Sequence, residues 1–156
     1  MIRGFSLNLL LSFLAVGSGW AETNIPIPVL PQDTNEVTPL TLPGAESSIF
    51  KKVGDVELRL HVVKPKDWKG TDKRACLVTF FGGGWTSGTP ARSITYAKWA
   101  AKYGLVGVAP DYRTRNRFNT QPEDCVADGR AAVRWVQDHA AELGCLLYTS
   151  PSPRDS

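Results

Sequence analysis

Hydrophobic and polar positions fall into four kinds of pattern along this chain. In "VELRLHVV", Leu58, Leu60 and Val62 alternate with Arg59, His61 and Val63, the period of a half-buried strand. "SIFKKV" precedes it across Gly54-Asp55, and a glycine at the first central position suits a type II′ hairpin turn. "CLVTFFGGGW" is apolar without alternation until it meets three glycines, and "LVGVAPDYR" is a second such run. Continuous runs of this kind are expected of strands covered on both faces, as in a parallel sheet flanked by helices.

Between the two apolar runs lies "ARSITYAKWAAKY", opened by Thr89-Pro90 and closed by Gly104, a cap with proline at the first helical position and a glycine stop. Strand, helix and strand in this order predict a parallel βαβ unit with a right-handed crossover. "TRNRFNT" reads as a loop. A long helix follows over residues 122–143, with Thr120 and Glu123 at capping-box spacing and Val126, Gly129, Val133, Val136, Ala140 and Leu143 as its apolar stripe. Gly144 ends it.

The fold class predicted is therefore α/β: a hairpin, a βαβ unit and a following helix on a mostly parallel, incomplete sheet. Two flanking patterns differ from the rest. Residues 1–21 carry Arg3, an apolar run over 5–16 and small residues ending at Ala21, the layout of a signal peptide. The run is shorter than the roughly 20 residues a membrane span needs, so export without a stable membrane span is expected. Residues 22–47 are rich in proline and read as a tether, placing the folded domain at 48–144.

Composition adds exclusions. The 156 residues hold 18 Lys and Arg against 15 Asp and Glu with no basic block, so nucleic acid is not an expected partner. Of three cysteines, Cys76 opens a predicted strand and Cys125 sits in a helix's first turn at the other end of the sheet, so no disulfide between them is expected. His61 falls on the Arg59 side of its strand and is expected to face solvent. His139, in a last helical turn, is read as structural. No cofactor and no metal are implied.

The chemistry concentrates at Gly82, Gly83 and Gly84. A strand that ends in glycines ahead of a helix presents backbone N–H groups at the carboxyl edge of a sheet, where ligands of α/β proteins bind. Such a loop can cradle a phosphate, with Gly82, Gly84 and Gly88 and the acid Asp111 as a dinucleotide-like set. It can form an oxyanion hole for a tetrahedral acyl intermediate, or it can simply be a tight turn. Trp85 directly after the glycines would crowd a pyrophosphate and wall an acyl pocket, and the preceding hairpin is unlike the start of a dinucleotide fold. The oxyanion reading is favoured.

"LVTFFGGGWTSGTP", "YGLVGVAPDYR" and "PEDCVADGRAAVRWVQDHAAELG", in that order, resemble the N-terminal half of α/β-hydrolases of the HGGG-loop esterase group, the hormone-sensitive-lipase-like and feruloyl-esterase-like carboxylesterases. The resemblance implies that Gly83 and Gly84 donate N–H groups to an oxyanion hole, Gly82 shapes the turn, and Trp85 lines the substrate cleft. It implies structural hydrogen bonds and ion pairing for Asp111, Tyr112 and Arg113. Phe81 stands where that group carries a histidine thought to brace the loop.

The nucleophile motif G-x-S-x-G does not occur in the sequence. Ser87 is out of register, and both histidines precede the place of the family's histidine. Residues 145–156, "CLLYTSPSPRDS", are unlike the preceding pattern, and back-translation of residues 145–155 gives DNA similar to a transposase mosaic end joined to a sequencing adapter. Residues 145–156 are therefore expected to be a non-native tail on a fragment. The function implied is that of an exported serine carboxylesterase, acting on a small-molecule or polysaccharide-linked ester, with the fragment itself inactive. The alternative is an exported non-catalytic binding protein on the same scaffold.

Overall fold

The computed structural model describes residues 37–146. The expected signal peptide, most of the tether and the tail beyond Leu146 lie outside the described residues.

Among the described residues a four-stranded sheet runs in the order β1-β2-β4-β3, from β1 (Glu46–Val53), β2 (Val56–Val63), β3 (Cys76–Val78) and β4 (Val106–Pro110). β1 and β2 form the predicted antiparallel hairpin, interrupted by a bulge between Ile49 and Lys51. Its turn has φ of 56° at Gly54 and no positive φ at Asp55, the type II′ signature. β2 pairs antiparallel with β4, and β3 pairs parallel with β4. The βαβ pairing is therefore as the pattern predicts, with α1 (Pro90–Lys102) as its connection.

Helices cover both faces. On one, Leu60, Val62, Val106 and Val108 pack with Val136 and Leu143; on the other, Val63 and Ala109 pack with Ile94, Ala97 and Ala101 of α1. Gly107 lets α1 pack directly onto β4, since a Cβ there would lie 2.2 Å from the Ala97 carbonyl oxygen.

Several expectations need correction. His61 does not face solvent; it is fully buried, and its Nδ1 lies 2.7 Å from Ser47 Oγ on the paired strand. β2 sits between β1 and β4, and His61 shares the face of Val63, which α1 covers, so the alternation marks two buried faces. The helix over 122–143 is two helices, α3 (Pro122–Asp138) and α4 (Ala140–Leu143), divided at His139 with φ −104° and ψ 16°. His139 stacks on Trp135 at 3.9 Å, with Nδ1 2.8 Å from the Trp135 carbonyl oxygen. The capping box joins Gln121 and Asp124, one residue later than the spacing of Thr120 and Glu123 suggests. Val126 and Val133 of the apolar stripe are each 38% exposed.

"TRNRFNT" contains a helical turn, α2 (Arg115–Phe118). β3 has three regular residues and is half-buried, because among the described residues it forms the sheet edge, paired only with β4. Beside it, Arg74 and Cys145 form an isolated parallel bridge, closed by Arg74 N–H to Gly144 O at 2.8 Å and Leu146 N–H to Arg74 O at 2.8 Å. All three cysteines are free thiols, Cys125 buried and Cys76 half-buried. No helix among the described residues is long and apolar enough to cross a membrane.

Candidate active site

The glycines lie just beyond β3. Thr79 extends the ladder by donating its N–H to Val108 O at 2.8 Å, and Phe80 and Phe81 lead into the loop. Gly83 has φ of 149° and Gly84 of 59°, and Trp85 follows with φ of 66°. That last value is strained for a bulky side chain, a cost of the order of 1–3 kcal/mol that the surroundings must sustain. They do so from two sides. Thr86 and Ser87 both donate their N–H groups to Gly83 O, at 3.0 and 3.2 Å, while Arg115 N–H reaches Trp85 O at 3.0 Å and Asn116 N–H reaches Thr86 O at 2.9 Å.

These bonds occupy the carbonyls of Gly83, Trp85 and Thr86, while the glycine donors are used differently. No acceptor among the described residues takes the N–H of Gly82, Gly83 or Gly84. A side chain at Gly83 is excluded outright, since its Cβ would fall 1.9 Å from Ser87 O, whereas Gly82 and Gly84 face open space. The three glycines line an open cavity of about 670 Å³ with Phe80, Phe81, Trp85, Tyr112 and the exposed face of α3. Trp85 is 46% exposed and meets Tyr112 edge-on at 6.3 Å. Unpaired amides beside an apolar cavity can bind a carbonyl oxygen or an anion.

Two buried ion-pair groups brace the floor. Asp111, at the end of β4, receives Arg117 through two bonds of 2.7 and 3.0 Å and accepts the Tyr112 N–H at 2.8 Å. Burial pushes the Asp111 carboxyl up, against the pull of Arg117 and the Tyr112 N–H. Arg117 also donates to Tyr112 O at 2.7 Å and to Thr38 Oγ1 at 2.6 Å, tying the N-terminal segment to the site. Asp128 of α3 accepts Arg113 at 2.8 and 3.0 Å and Lys51 at 2.6 Å. Burial opposes its charge, but hydrogen bonds from Arg113 and Lys51 outweigh that and hold the carboxyl below its usual range. Asp111, Tyr112 and Arg113 thus have the structural roles expected of them.

Cys125 also borders the cavity, donating to Arg113 O at 2.9 Å, and burial pushes its thiol pKa up, which disfavours a thiolate nucleophile. His61 and His139 do not line the cavity. Among the described residues no group of three or more His, Cys, Asp or Glu could hold a metal. Sequence reasoning missed Arg117 and Asp128. Nothing in the spacing marks Arg117, six residues past Asp111 in a stretch read as loop, and Asp128 carries no signal beyond a polar residue beside a helical stripe.

The BD-FAE family model matches residues 60–146, more than half of the chain. Thermogutta terrifontis esterase 2 with propionate bound is similar at 50% identity and a TM-score of 0.64, over 66% of this chain and 38% of that one. Its apo form gives the same identity, TM-score and coverage. The same esterase phosphorylated by paraoxon matches at 50% identity and TM-score 0.64, with 40% of its length covered. The chain thus spans well under half the length of these structures. No curated protein matches.

Proposed function

From the premise that the chain belongs to the BD-FAE family of feruloyl-esterase-like α/β-hydrolases, we propose that it supplies the oxyanion-hole half of an exported serine carboxylesterase. The observation that carries the reading is the pair of N–H groups at Gly83 and Gly84, which no acceptor among the described residues takes, in glycines that line an apolar cavity and whose loop is held by bonds to the Gly83, Trp85 and Thr86 carbonyls. Gly82 makes the turn into them, and Trp85 walls the acyl side.

In this mechanism a serine, activated by histidine, attacks the ester carbonyl, and the oxygen that becomes negative is received by Gly83 and Gly84. Collapse expels the alcohol and leaves an acyl-enzyme, which water then hydrolyses. Preorganised amides stabilise charge that develops only in the transition state, so their effect falls on kcat. Propionate bound to the similar esterase supports short acyl groups as one substrate class, and export suits polysaccharide-linked esters as another. Serine, histidine and acid in catalytic array are not found beside the glycines among the described residues, and the 156-residue chain is accordingly proposed to be inactive.

The test is hydrolysis of p-nitrophenyl propionate by the full-length protein and by this chain. Turnover by the full-length protein that an organophosphate abolishes, with none by the chain, is the expected result. Absence of turnover in the full-length protein would favour a non-catalytic binding role on the same scaffold, and inhibitor-sensitive turnover by the chain would overturn its proposed inactivity.

A further inference from the structure

We propose that Tyr112 is the positioning residue of the glycine loop, fixing the Gly83 and Gly84 amides through Phe81, the residue immediately before the glycines. The proposal rests on the oxyanion reading of those amides. Glycines carry no side chains with which to anchor themselves, so a loop of three must be held from its ends.

Phe81, Tyr112 and Cys125 form a small buried cluster of their own, apart from the two that flank the sheet. Tyr112 grips Phe81 twice. Its ring stacks on the Phe81 ring with centroids 4.1 Å apart and planes 8° from parallel, and its hydroxyl donates to Phe81 O at 2.7 Å. One side chain thereby fixes both the backbone and the side chain of the entry residue. The exit is held against the same pair, because Gly88 packs so closely on the Phe81 ring that a Cβ would lie 2.6 Å from Cδ2, and Trp85 meets Tyr112 edge-on.

Tyr112 is itself immobilised. Its N–H donates to Asp111, its carbonyl accepts from Arg117, and the Arg117 guanidinium lies 5.7 Å from the Phe81 ring centre. Burial pushes the phenol pKa up to about 12, so the hydroxyl stays a donor throughout the working range of an esterase. Phe81 offers no side-chain hydrogen bond, and the Tyr112 hydroxyl supplies the bracing bond from outside the loop.

The discriminating variant is Tyr112→Phe, which keeps the stacked ring and deletes only the hydroxyl. In the full-length protein kcat is expected to fall by about tenfold with KM within about twofold, because a displaced oxyanion donor weakens the transition state alone. In the 156-residue chain, backbone 15N order parameters at Gly82, Gly83 and Gly84 are expected to drop from the rigid range near ~0.85 toward ~0.6, while α3 is unchanged. Unchanged loop order in Tyr112→Phe would overturn the positioning role whatever the activity. A lowered melting temperature with unaltered kcat would also overturn it, reducing Tyr112 to a structural residue. If the wild-type full-length protein shows no esterase activity, the oxyanion reading fails by itself, and the order parameters still decide whether Tyr112 positions the loop.

Discussion

Arg117 closes on Asp111 through two hydrogen bonds of 2.7 and 3.0 Å, and neither side chain is more than 4% exposed. This buried pair joins the end of β4 to α2, the segment whose N–H groups hold Trp85 and Thr86. Removing one member strands the other's charge in the interior. Arg117→Met is expected to cost about 3–5 kcal/mol, read as a lowered urea midpoint. Asp111→Asn combined with Arg117→Met should recover part of that loss, since it leaves no unpaired charge.

Exposure should grade the other ion pairs. Asp128 is fully buried between Arg113 and Lys51, whereas Lys52 and Glu57 are 64% and 38% exposed. Asp128→Asn is expected to destabilise by about 3 kcal/mol, and Lys52→Ala by no more than about 0.5 kcal/mol. Chemical denaturation of the two variants side by side checks the contrast.

Stability should decline in acid through His61. Burial, with the nearby Arg59 charge, lowers its pKa from 6.5 to about 4, and its Nε2 has no hydrogen-bond partner among the described residues. Above pH 6.5 both folded and unfolded chains hold the ring neutral and nothing is lost. As pH falls from 6.5 toward 4 the unfolded chain takes up a proton that the folded one refuses, removing up to about 3 kcal/mol. Asp128, whose folded pKa lies below 3.8, extends the loss to lower pH. Urea midpoints across pH 4–7 should slope accordingly, and His61→Leu should flatten that slope.

The glycines should respond unequally to alanine. Gly83→Ala meets Ser87 O at 1.9 Å with φ of 149°, and is expected to cost about 3 kcal/mol or more. Gly84→Ala meets only the left-handed strain of φ 59°, about 1–2 kcal/mol. Gly82→Ala meets neither, and its melting temperature should stay near wild type. Differential scanning calorimetry of the three variants tests the order.

Local pattern carried much of the architecture. The hairpin turn at Gly54, the proline-led start of α1 and its Gly104 stop, and the parallel pairing of β3 with β4 were all legible, because each is set by backbone preference or by periodicity within a few residues. The glycine loop was legible too, as residue types that only a constrained turn requires.

What the sequence could not decide was environment. Whether His61 faces water depends on α1, some thirty residues away, closing over the face of β2 that looked polar by alternation. Whether Val126 and Val133 are covered depends on what lies across the cavity. Arg117 reads as one more basic residue in a loop until the fold carries it onto Asp111 and Phe81. The sequence by itself determined which segments extend, coil or turn, since those choices are made by neighbours along the chain. Only the tertiary structure decided which charges pair, which amides stay unclaimed and which ring clamps the loop, because desolvation and close contact are made by residues that meet only when the sheet is assembled.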